Sequence, residues 1–351
     1  MSKKTLDLNH IREVLHSHPF VVPVYLQNYF IQTVISVIIP SVKMPYVKSE
    51  RKYISLPDGS QLAADCTFQK NKEHSPTLVI LSGFEGYRKD KPSRFATAMK
   101  VKGYLCGYNV IHLRQRAEGD TIHLTKSLGY VADDLPIAFE QIKKWGITNL
   151  FVVGFSAGGY NLLYALGKLG NKSKDTISGI VAISAPLNTV DAWSHIEKNS
   201  LFDKYLLQGY KNLIKRRISI DSPDTWDREE LKSIKTKRQW ADTYLQRWGY
   251  PERYSSFAEM NEKTDAAPYM AQIAVPTLII HSEDDPMTPH DSFRDRRVMN
   301  NPYIITLLTK HGGHGGFITF KKHYGDLDAH WAQNRAIEFI NLLEEQYHHL
   351  A

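Results

Sequence analysis

Two cysteines, Cys66 and Cys106, are all that the 351 residues contain. That is too few for the disulfide framework of a secreted scaffold, so a reducing, cytoplasmic setting is expected. Excess charge is also scarce: 44 Lys and Arg face 37 Asp and Glu, a net of +7. The balance is mildly basic and compatible with an anionic surface or substrate, but no zinc-finger, RRM or helix-turn-helix signature accompanies it. Nucleic acid is therefore not an expected partner. No internal repeat or low-complexity tract occurs. Hydrophobic and charged shares of 42% and 23% exclude a wholly disordered, collagen-like or coiled-coil chain.

The most local absence is of charge. From Val14 to Val42 there is no Asp, Glu, Lys or Arg. A bilayer helix needs about 18–20 mostly apolar residues, and Pro19, Pro23, Gln27, Asn28, Gln32 and Pro40 interrupt this stretch. A signal peptide fits no better, because the apolar part lies too far from the start and lacks a small-residue cleavage site. The segment is expected to pack on or beside the globular part, with a peripheral membrane contact left open.

Beyond Lys43 the pattern alternates. Tyr53–Leu56 and Leu62–Phe68 flank Pro57-Asp58-Gly59-Ser60, a hairpin signal. Continuous apolar runs follow at Thr77–Leu81, Tyr108–Leu113, Leu150–Phe155, Ile177–Ala185, Thr277–Ser282 and Tyr303–Thr309, as suits strands buried on both faces of a parallel sheet. Between them helical periodicity predicts helices over Ser93–Lys102, stopping at Gly103, over Asp133–Trp145, after Ser156, and over Trp331–Tyr347. This predicts an α/β fold with a mostly parallel, doubly wound sheet.

The interval 188–273 breaks the rhythm. It is helical, charged and aromatic, with Trp193, Tyr205, Tyr210, Trp226, Trp240, Tyr244, Trp248 and Tyr250. It is expected to be a helical cap, since such sheets bind ligands outside the carboxyl ends of their strands. Its basic cluster, Lys211, Lys215, Arg216 and Arg217, reads as a solvated helix face. The expected division is an N-terminal segment over residues 1–50 packed on the core, a core built from 51–187 and 274–351, and the cap over 188–273.

The chemistry concentrates in Val152–Gly159, VVGFSAGG, where Gly154, Ser156 and Gly158 form G-x-S-x-G between a strand and a helix. That context makes Ser156 a candidate nucleophile on a strained turn, with a helix N-terminus beside it to favour an oxyanion. A serine hydroxyl needs a base to take its proton, and the base needs a carboxylate to orient it. Late strands supply both: Glu283, Asp284 and Asp285 follow one, and His311 and His314 follow the next. Asp285 is preferred as the acid, with Asp284 shaping the turn. His314, between paired glycines, is preferred over His311. A metal site at the two histidines is not expected, for want of a third ligand. The backbone N–H of Ala157, and that of Phe84 after the first buried strand, are the candidate oxyanion donors.

These motifs resemble the α/β-hydrolase superfamily. Phe20–Pro40 is similar to the N-x-H-L-Q-T segment of its YheT-like branch, with Asn28, Gln32 and Thr33 at matching places and Phe30 where His is usual. The PDGS hairpin, the GFEG loop, the GFSAGG elbow, PTLIIHSEDDPM and GGHGGF follow in family order. The resemblance implies an α/β-hydrolase fold, membership of the uncharged segment in that fold, and a carboxylic-ester hydrolase acting without a cofactor on a small-molecule or lipid ester. Acyltransfer and thioester hydrolysis would use the same triad, and a silent binding protein could share the scaffold. Ser82, the LRQRAEGD segment that keeps Arg114, and Ala157 and Tyr160 in the elbow depart from the family pattern and bear on substrate range.

Overall fold

A computed structural model describes residues 6–43, 47–84, 93–126, 132–147, 149–220, 228–245 and 257–350. Eight strands form one sheet in the order β1-β2-β4-β3-β5-β6-β7-β8. They are β1 Glu50–Ser55, β2 Gln61–Thr67, β3 Thr77–Leu81, β4 Asn109–Arg114, β5 Leu150–Phe155, β6 Ile177–Ile183, β7 Thr277–Ser282 and β8 Ile304–Thr309. The hairpin makes β1 and β2 antiparallel, and β2 also pairs antiparallel with β4. All remaining pairs are parallel, so the carboxyl ends of β3 to β8 share one edge. The apolar runs explain the placement: every residue of β3, β4 and β7 is buried, whereas β8, at the sheet edge, is buried only in part.

Helices cover both faces. On one lie α4 (Asp134–Lys143) and α5 (Ala157–Leu169), through Leu135, Phe139, Leu162 and Leu166. On the other lie α1 (Leu8–Ser17), α3 (Arg94–Leu105) and the last helix, through Ile11, Met99, Trp331 and Phe339. One expected boundary moves. Helix α3 does not stop at Gly103 but continues to Leu105, because a Cβ at Gly103 would stand 2.7 Å from Leu78 Cδ2. That glycine permits close helix–strand approach rather than ending the helix.

Between β6 and β7 run α6 (Thr189–Glu197), α7 (Ser200–Ile218), α8 (Arg228–Ser233), α9 (Lys237–Trp240) and α10 (Phe257–Thr264). They gather a small core of their own around Trp193, Leu213, Ile214, Leu231 and Trp240. Trp226, Trp248 and Tyr250 lie outside the described residues. The basic cluster is only partly a solvated face. Lys215 is exposed, but Arg217 donates to the carbonyls of Ile122 (3.0 Å) and Thr125 (2.7 Å), and Arg216 donates to that of Gly119. Those carbonyls belong to the loop after β4, so the two arginines tie α7 to that loop. After β7 come the short α11 (Arg296–Met299), β8 and finally α12 (Trp331–Leu350).

The uncharged run folds against the end of the chain. Asn28 caps α2 (Tyr29–Ile35) by accepting from the N–H groups of Phe30 and Ile31. Gln32 is fully buried. Its Oε1 accepts from Ile318 N (2.7 Å), and its Nε2 donates to the carbonyls of Leu26 (2.9 Å) and Ile318 (3.1 Å). Among the described residues no helix is long and apolar enough to cross a membrane.

Candidate active site

Ser156 stands where β5 becomes α5, with φ +50 and ψ −119. A non-glycine residue there is strained, and the surroundings hold it. Its N–H donates to Ile183 O (2.9 Å), and a Cβ on Gly154 would meet Gly159 Cα at 2.7 Å. The turn is therefore too tight for a side chain two residues before the serine.

The three predicted polar side chains converge. His314 Nε2 is 3.0 Å from Ser156 Oγ, and His314 Nδ1 is 2.9 Å from Asp285 Oδ2 and 3.1 Å from Oδ1. Asp285 is buried, and its Oδ1 also accepts from the N–H groups of Met287 (2.8 Å) and Thr288 (3.0 Å). Burial alone would push this carboxyl up, but the charge and hydrogen bond of His314, with the backbone donors, hold it below the usual carboxylate range. Nearby His281 is fully buried, and burial outweighs the attraction of Asp285, pushing it down to about 4. It is neutral near pH 7 and does not compete for the carboxylate.

Asp284 and His311 lie apart from this line. Asp284 Oδ1 accepts from Gly313 N (2.9 Å), and its Oδ2 is 3.5 Å from His311 Nδ1. Burial raises the Asp284 carboxyl above its ordinary value despite the Gly313 donor. The N–H groups of Met287 and Thr288 in its own turn go to Asp285, so Asp284, expected to shape that turn, instead braces the histidine loop. That loop is held elsewhere too: Ser282 Oγ donates to Gly313 O (2.8 Å), Ser184 Oγ accepts from Gly315 N (3.0 Å), and Thr33 Oγ1 accepts from His314 N (2.9 Å). Gly315 has φ +68, and a Cβ there would collide with the Phe155 ring.

The loop after β3 brings Gly83 against the serine, since a Cβ on Gly83 would lie 3.1 Å from Ser156 Cβ. Phe84 follows and packs on Tyr210 of α7, ring centroids 4.3 Å apart. Glu85 and Gly86 lie outside the described residues. Behind the loop is a buried polar network that the sequence did not announce. Gln115 Nε2 donates to Ser82 O (3.1 Å), Asn161 Nδ2 donates to Gln115 Oε1 (2.6 Å), and His112 Nε2 is 2.9 Å from Ser82 Oγ. The departures from the usual pattern at Ser82 and Gln115 thus contact each other. Ser184 and Thr33 were equally unforeseen as supports of the histidine loop. Thr33 is marked in the sequence by its place in the segment similar to N-x-H-L-Q-T, and Ser184 by nothing.

Ser156 and His314 face a cleft of about 850 Å³. Its walls come from α2 and the following residues (Phe30, Val34, Val37), from Phe84 and Phe95, and from α7 (Leu201, Phe202, Leu206). Arg94, at the N-terminus of α3, is a charged residue among the described residues that line it.

A family model described as the alpha/beta hydrolase fold matches residues 76–320. The chain belongs to the α/β-hydrolase family. Within it, this hydrolase-fold chain is YheT-like: it is 30% identical over 275 residues to the Escherichia coli (strain K12) protein YheT, which carries an esterase name, across 76% of this chain and 77% of that one. It is 23% identical to the Homo sapiens protein named phospholipase ABHD3, across 78% of this chain and 68% of that one. Among solved structures, the uncomplexed acylaminoacyl peptidase of Pyrococcus horikoshii superposes with a TM-score of 0.54 at 13% identity, covering 87% of this chain and 42% of that one. That similarity is one of fold.

Proposed function

We propose that the protein hydrolyses carboxylic esters with an apolar acyl group, Ser156 being the nucleophile. His314 takes the proton from Ser156 Oγ as the oxygen attacks the acyl carbonyl, and Asp285 orients the imidazole and stabilises its protonated form. The tetrahedral oxyanion is received by the N–H groups of Ala157 and Phe84, where one such donor is worth about 3 kcal/mol of barrier. The intermediate collapses, and His314 gives its proton to the departing alkoxide. Water, deprotonated by His314, then releases the carboxylic acid and restores Ser156. The chemistry calls for no cofactor.

The observation that carries this reading is the unbroken hydrogen-bonded line from Asp285 through His314 to Ser156, at 2.9 and 3.0 Å, opening on an apolar cleft. The esterase and phospholipase names of two relatives agree with an ester or lipid-ester substrate. The cleft favours an acyl chain over a charged group, because burying apolar surface stabilises the complex by roughly 25 cal/mol per Å². Helices α6–α10, over residues 188–273, serve as the cap whose aromatic and aliphatic side chains set chain-length preference. A panel of p-nitrophenyl esters tests the reading. Wild type should turn over the panel with a preference among chain lengths and be labelled by a fluorophosphonate. Ser156→Ala should do neither, and retained turnover in that variant would reject the assignment.

A further inference from the structure

We propose that Thr33 is a positioning residue for His314. A helix outside the family-matched region, residues 76–320, would thereby set the place of the site's base; the inference rests on the hydrolase reading above. His314 sits in a turn closed by Phe317 N–H donating to Gly312 O (3.1 Å), a bond that leaves the N–H of His314 itself to find its partner on another element. The acceptor for its N–H is Thr33 Oγ1, at 2.9 Å.

That acceptor is itself held in one orientation. The Thr33 hydroxyl gives its proton to Tyr29 O, one turn back in α2, at 2.8 Å, which leaves a lone pair aimed at His314. Helix α2 cannot drift from the loop, because buried Gln32, the preceding residue, bonds both the N–H and the C=O of Ile318 (2.7 and 3.1 Å). The helix thus grips the chain at His314 and again four residues later. The approach is close: a Cβ on Gly313 would stand 2.5 Å from Thr33 Oγ1. Thr33 acts through the backbone, on the place from which the imidazole reaches Ser156. A displacement of about 1 Å in a reacting group can cost around 100-fold in rate.

The test compares Thr33→Val, which keeps the shape and removes the hydroxyl, with Thr33→Ser, which keeps the hydroxyl. Three readouts are taken: kcat and KM on a p-nitrophenyl ester, thermal unfolding, and amide hydrogen exchange of a peptide covering residues 311–318. Thr33→Ala takes the place of valine if that variant does not fold. The expected result for Thr33→Val is a kcat lower by about tenfold or more, a KM within about twofold, and faster exchange around His314. Thr33→Ser should stay within about twofold of wild type in all of these. The proposal is overturned if Thr33→Val keeps wild-type kcat, if serine is as slow as valine, or if exchange in the loop is unchanged. Ser156→Ala runs alongside: turnover there would defeat the hydrolase reading, and the exchange comparison would still decide whether Thr33 holds the loop.

Discussion

Ser156 and His314 meet at 3.0 Å, yet the serine turn and the histidine loop reach that point by opposite means. The serine turn is local. Eight consecutive residues, Val152–Gly159, contain the strand end, the strained serine, the glycines that allow the tight reversal and the start of α5. The histidine loop closes one turn of its own, Phe317 N–H donating to Gly312 O at 3.1 Å. It is hung from side chains on other elements: Thr33 on α2, Ser184 after β6, Ser282 at the end of β7, and Asp284 and Asp285 after it. A local turn loses its geometry when one of its own residues changes. A suspended loop distributes its support, so each tether should matter less than the group it positions.

The largest effect expected is at the reacting atom. Ser156→Ala should lower ester turnover by about 10⁶-fold, leaving what the oxyanion donors and the cleft supply alone. Asp285→Asn comes next, at about 10³–10⁴-fold, because the amide can favour the wrong imidazole tautomer. If this variant were as active as wild type, the loop's carboxylate contact would be structural only. Gly315→Ala should destabilise the protein by about 2–4 kcal/mol, read as a lower Tm, since a side chain is strained at φ +68 and collides with Phe155. Thr33→Val follows, at the tenfold argued above.

The smallest effect is expected at Asp284, and it is the sharpest contrast with its neighbour. The Asp284 carboxyl is raised by burial, so ionising it costs stability as pH rises through and above the ordinary 3.8. An asparagine can still accept from Gly313 N–H and carries no charge. Asp284→Asn should therefore keep activity within about threefold and leave Tm at pH 7 equal or higher. Asp285 behaves in the other sense. Its lowered carboxyl contributes stability that is fully present above 3.8 and lost as pH falls through its folded value. Asp285→Asn should remove that contribution at pH 7 and lower Tm there. Thermal melts of the two asparagine variants from pH 3 to 7 would show whether the adjacent carboxylates differ in sign.

Much of this architecture is legible in the order of residues. β3, β5 and β7 begin and end where their largely apolar runs do, because strands buried on both faces are built mainly from apolar residues. Ser156, Asp285 and His314 were each placed by a turn that follows a strand, and parallel pairing brings those turns to one edge. Gly103 misled, because a glycine that ends a helix and one that admits a neighbouring strand look alike in one dimension. Arg216 and Arg217 misled for a related reason: periodicity says which face of α7 they occupy but not that the carbonyls of the loop after β4 lie against it.

The division follows from the range of the forces. Residue order by itself determined what is settled within a turn or a strand: the serine elbow, the hairpin and the buried runs. Only the tertiary structure decided what joins residues far apart. Gln32 gripping Ile318, Thr33 holding His314, and Gln115 bridging Ser82 to Asn161 are hydrogen bonds across 286, 281, 33 and 46 positions. Such bonds depend on a donor and an acceptor arriving within about 3 Å and out of water, a condition set by the packing of the whole chain. The charge-free segment near the N-terminus shows both sides. Its composition argued against a bilayer helix, and its packing made it one of the supports of the histidine loop.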